Sequence, residues 1–210
     1  MILIFLGAPG SGKGTQAKKL ADRNGLPHIA VGDIFREAVR DESELGKLVK
    51  GYIEAGNLVP DEVTNRIVAE RIGRRDCEVG FILDGYPRSS VQAAALDDVL
   101  AGKDFKVVYF SVPLETVVKR NVDRRSCKQC GAVFHLKHNP PKKENVCDRC
   151  GGELYQRKDD DPEVMKTRFE VYEKSTIPLL EHYKGKLIRI DANAGIDEVF
   201  GRLVTAIGGV

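Results

Sequence analysis

Ile2-Leu3-Ile4-Phe5-Leu6-Gly7-Ala8-Pro9-Gly10-Ser11-Gly12-Lys13-Gly14-Thr15 stands at the head of the chain. Ile2 to Leu6 is apolar without alternation, the pattern of a strand covered on both faces. Gly7 to Lys13 follows as G-x-x-x-x-G-K, and Lys13 to Asn24 reads as a helix stopped by Gly25. In a strand-loop-helix setting this pattern is a phosphate cradle. Its glycines let successive backbone N–H groups turn inward on an anion, the helix start adds the positive end of its dipole, and Lys13 adds a point charge. A glycine-rich turn with a surface lysine is the bland alternative, and it leaves the flanking strand and helix unexplained. Gly10, Ser11, Gly12, Lys13, Gly14 and Thr15 are therefore the first candidate binding residues. A hydroxyl residue usually follows the lysine; Gly14 stands there, with the hydroxyl one place later at Thr15. Mg²⁺ is then expected through water, or on Thr15 instead.

Outward from this stretch, strands and helices alternate. A short strand is expected near Pro27 to Ala30, then helices near Asp33 to Arg40 and Ser43 to Ala55. Asp61 is placed to cap a helix reaching about Arg74. Phe81-Ile82-Leu83 reads as a second buried strand ending in Asp84, and Ser89 or Ser90 can cap the helix that follows. Lys106 to Val112 is a third strong strand, with Pro113 opening another helix. Asp161-Pro162 gives a cap and first turn for a long helix to Tyr183, kinked at Pro178. Leu187 to Asp191 is a last strand, and Ile196, Val199, Phe200, Leu203, Val204 and Ile207 have helical spacing. Such alternation predicts an α/β fold: a doubly wound, mostly parallel sheet of about five strands with helices on both faces. Ser126 to Lys158 breaks the pattern and reads as a small inserted lobe.

Thirty-three basic and 31 acidic residues nearly cancel, which argues against a general nucleic-acid binder. The first apolar run is too short for a signal peptide, and no apolar stretch approaches the roughly 20 residues of a membrane helix. The expectation is a cytoplasmic protein with reduced thiols. Four of the five cysteines form two C-x-x-C pairs, Cys127/Cys130 and Cys147/Cys150, each followed by a glycine, Gly131 or Gly151. Tight turns of this kind aim N–H groups at sulfur, and four thiolates suit a closed, structural Zn²⁺ site. His135 is an alternative ligand outside the pair spacing. Cys77 and His28 read as ordinary buried or structural residues.

Asp84, at the C-terminal end of a parallel strand, is a candidate for ordering Mg²⁺ and its waters; the alternative is a turn aspartate before Gly85. Arg36, Arg88, Arg120, Arg124, Arg125, Arg157 and Arg168 each read singly as surface charges. Beside a phosphate loop they make sense together as a clamp for clustered negative charge. Gln92 has the amide donor and acceptor that can read a base edge, a reading toward adenine that the family likeness given next supports, or is a polar residue on an exposed helix face.

At this point the chain resembles the adenylate kinase family. Gly7 to Gln16, Gly32-Asp33-Ile34-Phe35-Arg36, Leu83-Asp84-Gly85-Tyr86-Pro87-Arg88 with Gln92, and then Arg120, Arg124, Arg125, Arg157-Lys158-Asp159-Asp160 and Arg168 carry the likeness. It looks like the long-lid form with a zinc site. The resemblance implies reversible transfer of a phosphoryl group from Mg-ATP to AMP by a monomer. It divides the chain into core (1–29), an AMP-binding arm (30–59), core (60–125), a zinc-binding lid (126–159) and core (160–210). It assigns Arg36 and Arg88 to the AMP phosphate, Arg120 to the ATP adenine, and Arg124, Arg157 and Arg168 to the transferring group. Lys13, Arg88, Arg124, Arg157 and Arg168 are thus the expected catalytic set. Val133, Phe134 and Ala194 join the ATP side, the alternative for Phe134 being the lobe's own small core. Val31, Asn57, Leu58, Val59, Gly85, Tyr86 and Pro87 join the AMP side with Gln92. Arg125 takes no role from the resemblance. Ala30 and Val31 stand where family members commonly carry hydroxyls. Asp159 and Asp160 either bond to closing arginines or form a solvated hinge. The rival readings are a kinase for UMP or CMP and, in another class, a zinc-ribbon ATPase acting on nucleic acid.

Overall fold

A computed structural model describes residues 1–209. Five parallel strands form the central sheet: β1 (Ile2–Gly7), β2 (His28–Ala30), β3 (Phe81–Asp84), β4 (Phe105–Ser111) and β8 (Leu187–Asp191), in the order β2-β3-β1-β4-β8. Strand β1 is central, and its side chains alternate between two cores. Leu3 and Phe5 pack with Ala17 and Leu20 of α1 (Lys13–Asn24) and with Val199 and Leu203 of α9 (Ile196–Ile207). Ile4 and Leu6 join the opposite core. That core also takes Phe35 of α2 (Val31–Arg40), Val49 of α3 (Glu44–Glu54), Val68 of α4 (Asp61–Ile72) and Leu96 of α5 (Ser90–Val99). Full burial of each such side chain stabilises by roughly 1.5–3 kcal/mol. Because both faces are covered, the run Ile2–Leu6 shows no polar alternation. Strand order reverses at β1, so its C-terminal end opens into the crevice where ligands of such sheets sit.

Several local expectations shift. Asp61 does not cap α4; its carboxylate accepts instead from Ser89 Oγ (3.0 Å) and Gln92 Nε2 (2.7 Å). Ser89 caps α5 by accepting from the Gln92 N–H. Pro113 lies just before α6 (Leu114–Val122) rather than in its first turn. The single kinked helix to Tyr183 is three pieces: α7 (Pro162–Val171), a π-helical turn (Tyr172–Thr176) and the short α8 (Leu179–His182). Asp161 does cap α7, accepting from the Glu163 N–H. The inserted lobe is a small antiparallel sheet, β6-β5-β7, made of β5 (Arg124–Cys127), β6 (Val133–His135) and β7 (Leu154–Tyr155). Its pairing begins at Arg124, two residues before the expected start of the lid. No described helix is long and apolar enough to cross a membrane.

Candidate active site

The loop between β1 and α1 is shaped by what presses on it. Gly10 and Gly12 have φ of 83° and 86°, a region that costs a side-chain-bearing residue energy. A Cβ on Gly10 would also lie 2.1 Å from Asn121 Nδ2. Asn121, on α6, donates to the Pro9 carbonyl at 3.4 Å and backs the loop. Helix α1 has no side-chain cap and no carboxylate in its first turn. Its first N–H groups and dipole therefore point at an anion site rather than at the protein itself. Ser11 Oγ is buried and bonds to no described protein group. Lys13 Nζ donates to the Ala8 carbonyl at 3.3 Å. Burial pushes the Lys13 ammonium down to about 8; Asp84 opposes that, and Arg88, Arg168 and Arg124 add to it.

Asp84 closes the floor of the site. Its Oδ2 lies 3.4 Å from His28 Nε2 and 3.0 Å from where a Cβ on Gly14 would stand. Burial raises its carboxyl, but His28, Lys13 and Arg88 outweigh that and hold it below the ordinary carboxylate range. Its other oxygen, Oδ1, is buried without a protein partner among the described residues. One unused anionic oxygen beside Lys13 fits a Mg²⁺ held with its waters. Thr15 is exposed on α1.

Around this floor the guanidinium groups meet carboxylates. Arg36 pairs with Asp33 and, at 3.7 Å, with Asp159. Arg124 makes a two-pronged pair with Asp160. Arg168 Nη1 lies 2.8 Å from Asp159 Oδ2 and donates to the Asp159 carbonyl at 2.7 Å. Arg157 donates from Nε to Ser126 Oγ at 2.7 Å and lies 3.5 Å from Asp33. Burial and neighbouring arginines press Arg157 and Arg168 down to about 10 against the pull of these aspartates. Asp159 and Asp160 are buried, which removes the solvated-hinge alternative. Arg88 Nε donates to the Gly85 carbonyl at 2.7 Å. Arg120 is committed to backbone, donating to Ser11, Ala192 and Ala194 carbonyls at 3.0–3.3 Å. Arg125 likewise donates to backbone, to the carbonyls of Val122 and Arg124.

The expected acceptor residues divide. Gly56 (φ 77°) seats the end of the arm on α7, since a Cβ there would lie 2.9 Å from the Val164 carbonyl and Arg168 Cγ. Leu58, Gly85 and Pro87 line the cleft with Lys13, Arg88 and Arg168; Asn57 is exposed. Val31 and Val59 are buried in the apolar core. Tyr86 is buried too, its hydroxyl donating to Asn65 Oδ1 (2.8 Å) with the Gln92 carbonyl as the other acceptor in reach (3.1 Å). Gln92 is only 2% exposed. Its amide oxygen accepts from the Arg88 N–H at 2.8 Å and its amide nitrogen donates to Asp61. In this conformation it braces Arg88 rather than facing the cleft. The arm and lobe touch here: Lys158 pairs with Glu54 at 2.9 Å, and Arg40 donates to the Lys128 carbonyl at 3.3 Å.

In the lobe, Cys127, Cys130, Cys147 and Cys150 converge, with all four sulfurs within 4.8 Å of one another. Two of the separations are 3.5 and 3.6 Å, close to the edge of about 3.8 Å that a tetrahedron with Zn–S of about 2.3 Å requires. The two pairs turn alike, with Gly131 N–H on the Cys127 carbonyl, Gly151 N–H on the Cys147 carbonyl, and both glycines at positive φ. For Cys127, burial raises the thiol, but the N–H groups of Cys130 and Gln129 bring it to about 7. At Cys150 a backbone N–H is outweighed by Cys130 and Cys127, to about 12. One negative charge thus discourages the next, and a dication lets all four ionise. His135 lies outside this cluster. Phe134 packs with Cys127, Cys147 and Leu154, so its side chain joins the lobe's core; Val133 is exposed. Cys77 is buried against Arg71.

Sequence reading missed Asn121 and Ser126 and gave Asp33 no role of its own, each being defined by a partner distant in the chain or on another helical turn. Only Asp33 left a signal, as a carboxylate three residues from Arg36. The family model for adenylate kinase matches residues 5–188. The chain is 49% identical to the adenylate kinase of Bacillus licheniformis over 100% of its own length and 99% of that protein. It is 51% identical to that of Caldanaerobacter subterraneus (100% and 97%) and 52% identical to that of Archaeoglobus fulgidus (95% and 94%). A glycine loop backed by Asn121, a buried carboxylate under its lysine and a ring of arginines are matched by likeness along nearly the whole sequence, and the chain belongs to the adenylate kinase family.

Proposed function

We propose that the chain carries out the family's reaction, ATP + AMP to two ADP and back, with the following division of labour. The observation that carries it is the convergence of Lys13, Arg88 and Arg168 on one cleft at the mouth of the glycine loop. The loop N–H groups and Lys13 hold the ATP phosphates. Arg36 and Arg88 hold the AMP phosphate. Arg124, Arg157 and Arg168 surround the group in transit, exchanging their aspartate partners for phosphate oxygens. An oxygen of AMP's phosphate is already anionic at neutral pH. It forms a bond to the terminal phosphorus in line as the bond to the ADP leaving oxygen breaks, so no protein nucleophile or base is required. When bound, Mg²⁺ neutralises the outer phosphates, and Asp84 is the residue that would hold its waters. The zinc of the cysteine cluster is structural on this reading, since four thiolates leave no open position.

Burial of the arginines favours a cleft that closes over both nucleotides and shuts out water as a competing acceptor. On this reading residues 30–59 and 126–159 are the moving parts of a cytoplasmic monomer that needs neither nucleic acid nor membrane. The test is a coupled assay of ATP with each nucleoside monophosphate, run with wild type and Lys13→Met. AMP should be preferred by a wide margin in kcat/KM, and the folded variant should lose at least about 10²-fold in kcat. Equal turnover of UMP or CMP would overturn the acceptor assignment. Near-normal turnover by Lys13→Met would overturn the role of the loop.

A further inference from the structure

The π-helical turn Tyr172–Thr176 has a local cause and a remote contact. Pro178 has no N–H, and its ring needs the space that the carbonyl four residues back would fill in an α-helix. The chain widens ahead of it, and the Ile177 N–H bonds to the Tyr172 carbonyl, five residues back, at 3.1 Å. Such widened turns recur at functional sites. Here the turn forms one wall of the cleft, with Val171, Tyr172 and Thr176 facing Lys13 and Arg88.

Both ends of the turn are tied down. The Tyr172 hydroxyl meets the Tyr109 hydroxyl at 2.9 Å, which fixes it to strand β4. Thr176 is 6% exposed. A helical threonine ordinarily spends its hydroxyl on the carbonyl three or four residues back. Thr176 Oγ1 instead donates to the Arg88 carbonyl, 88 positions away, at 3.2 Å. The Arg88 N–H is held by Gln92 Oε1 at 2.8 Å and its Nε by the Gly85 carbonyl at 2.7 Å. Both peptide groups of Arg88 and the base of its guanidinium are therefore fixed. Thr176 supplies the only one of these ties that comes from across the cleft.

We propose that Thr176 is a positioning residue for Arg88. Through the widened turn it sets the backbone that presents this guanidinium to the acceptor phosphate. The inference rests on the reading of Arg88 as a ligand of AMP. A side-chain bond to backbone of this kind is worth a factor of roughly three to ten in an equilibrium.

The test is steady-state kinetics of Thr176→Val, Thr176→Ser and Arg88→Lys, varying AMP and ATP separately, with Tm measured for each. Thr176→Val keeps shape and removes the hydroxyl. It should raise KM for AMP by roughly three- to tenfold while KM for ATP changes by less than about twofold. Thr176→Ser should restore the wild-type value. A merely structural role would lower Tm and move both KM values together, and that result overturns the proposal. So does an unchanged KM for AMP in Thr176→Val, or a serine variant that behaves like valine. If Arg88→Lys raises KM for AMP and Thr176→Val does not, the positioning role fails alone. If neither variant raises it, the assignment of Arg88 fails as well.

Discussion

Asp84 sits directly over Gly14, its Oδ2 3.0 Å from the point a Cβ on residue 14 would occupy. That contact explains why no hydroxyl residue follows the loop lysine. Even one methyl group would push against the carboxylate whose other oxygen is buried without a protein partner among the described residues, the oxygen proposed above to hold the Mg²⁺ waters. Gly14→Ala should therefore demand more Mg²⁺ for half-maximal rate and lose roughly tenfold or more in kcat. Thr15→Ala, at an exposed position, should be much milder. A Mg²⁺ titration of both variants reads this directly. Equal Mg²⁺ demand in Gly14→Ala and wild type would sink the explanation.

The Lys13 ammonium, at about 8, releases its proton within an accessible range. Burial is the main cause, so bound phosphates restore the charge that burial opposes. Below about pH 8 the free lysine is charged and ready for the triphosphate. Above it, binding must first take up a proton, and affinity falls by up to about tenfold per pH unit. ATP dissociation constants from pH 6.5 to 9.5 should bend upward near 8 in wild type. In Lys13→Met they should be weak and flat.

Asp159 joins Arg36 and Arg168, and its buried carboxyl resists protonation. Burial alone would raise it; Arg168, Arg36 and Arg157 together hold it below its ordinary value. The folded chain thus binds this proton less readily than the unfolded chain. The resulting stability is whole above the ordinary value near 3.8 and is lost as pH falls through the lower folded value. Asp159→Asn should cost on the order of 3 kcal/mol at neutral pH by leaving guanidinium charge poorly paired. It should also make the acid limb of the stability curve shallower. Denaturant titrations across that limb measure both.

Metal analysis should find one zinc per chain, held by Cys127, Cys130, Cys147 and Cys150. The lobe's core is little more than Phe134, Leu154 and the cysteines, too small to hold by hydrophobic burial. Structural zinc contributes on the order of 10 kcal/mol of apparent binding energy to such units. Replacing Cys127 and Cys130 by serine should lower Tm and loosen the lobe without abolishing transfer, while Cys77→Ser keeps the metal. Four titratable native thiols in a fully active, zinc-free protein would falsify the structural role.

Elements whose signal is local were legible in the sequence. Ile2–Leu6, the loop to Lys13, Gly25 as a helix stop and the two C-x-x-C pairs each announce themselves within a few residues, and the alternation of apolar runs with helical spacing gives the five-strand sheet. Features that depend on partners elsewhere were less legible. Asp61 has the look of a cap, but Ser89 and Gln92 of another helix claim its carboxylate. Gln92 has the right amide for reading a base, yet Arg88 and Asp61 occupy it. Phe134 alternates with Val133 on a strand three residues long, too short for its pattern to say which face meets the lobe's core. Pro178 signalled a kink, but a proline can be met by a bend or by a widened turn, and packing around Thr176 decides.

The aspartates on Arg36, Arg124, Arg157 and Arg168 bear on how nucleotides arrive. An incoming phosphate meets guanidinium groups that already have anions, so binding swaps one counter-charge for another and does not fill a bare positive hole. Such an exchange changes the net number of ion contacts little. Nucleotide affinity should therefore respond weakly to ionic strength, unlike sites whose cations stand open to solvent.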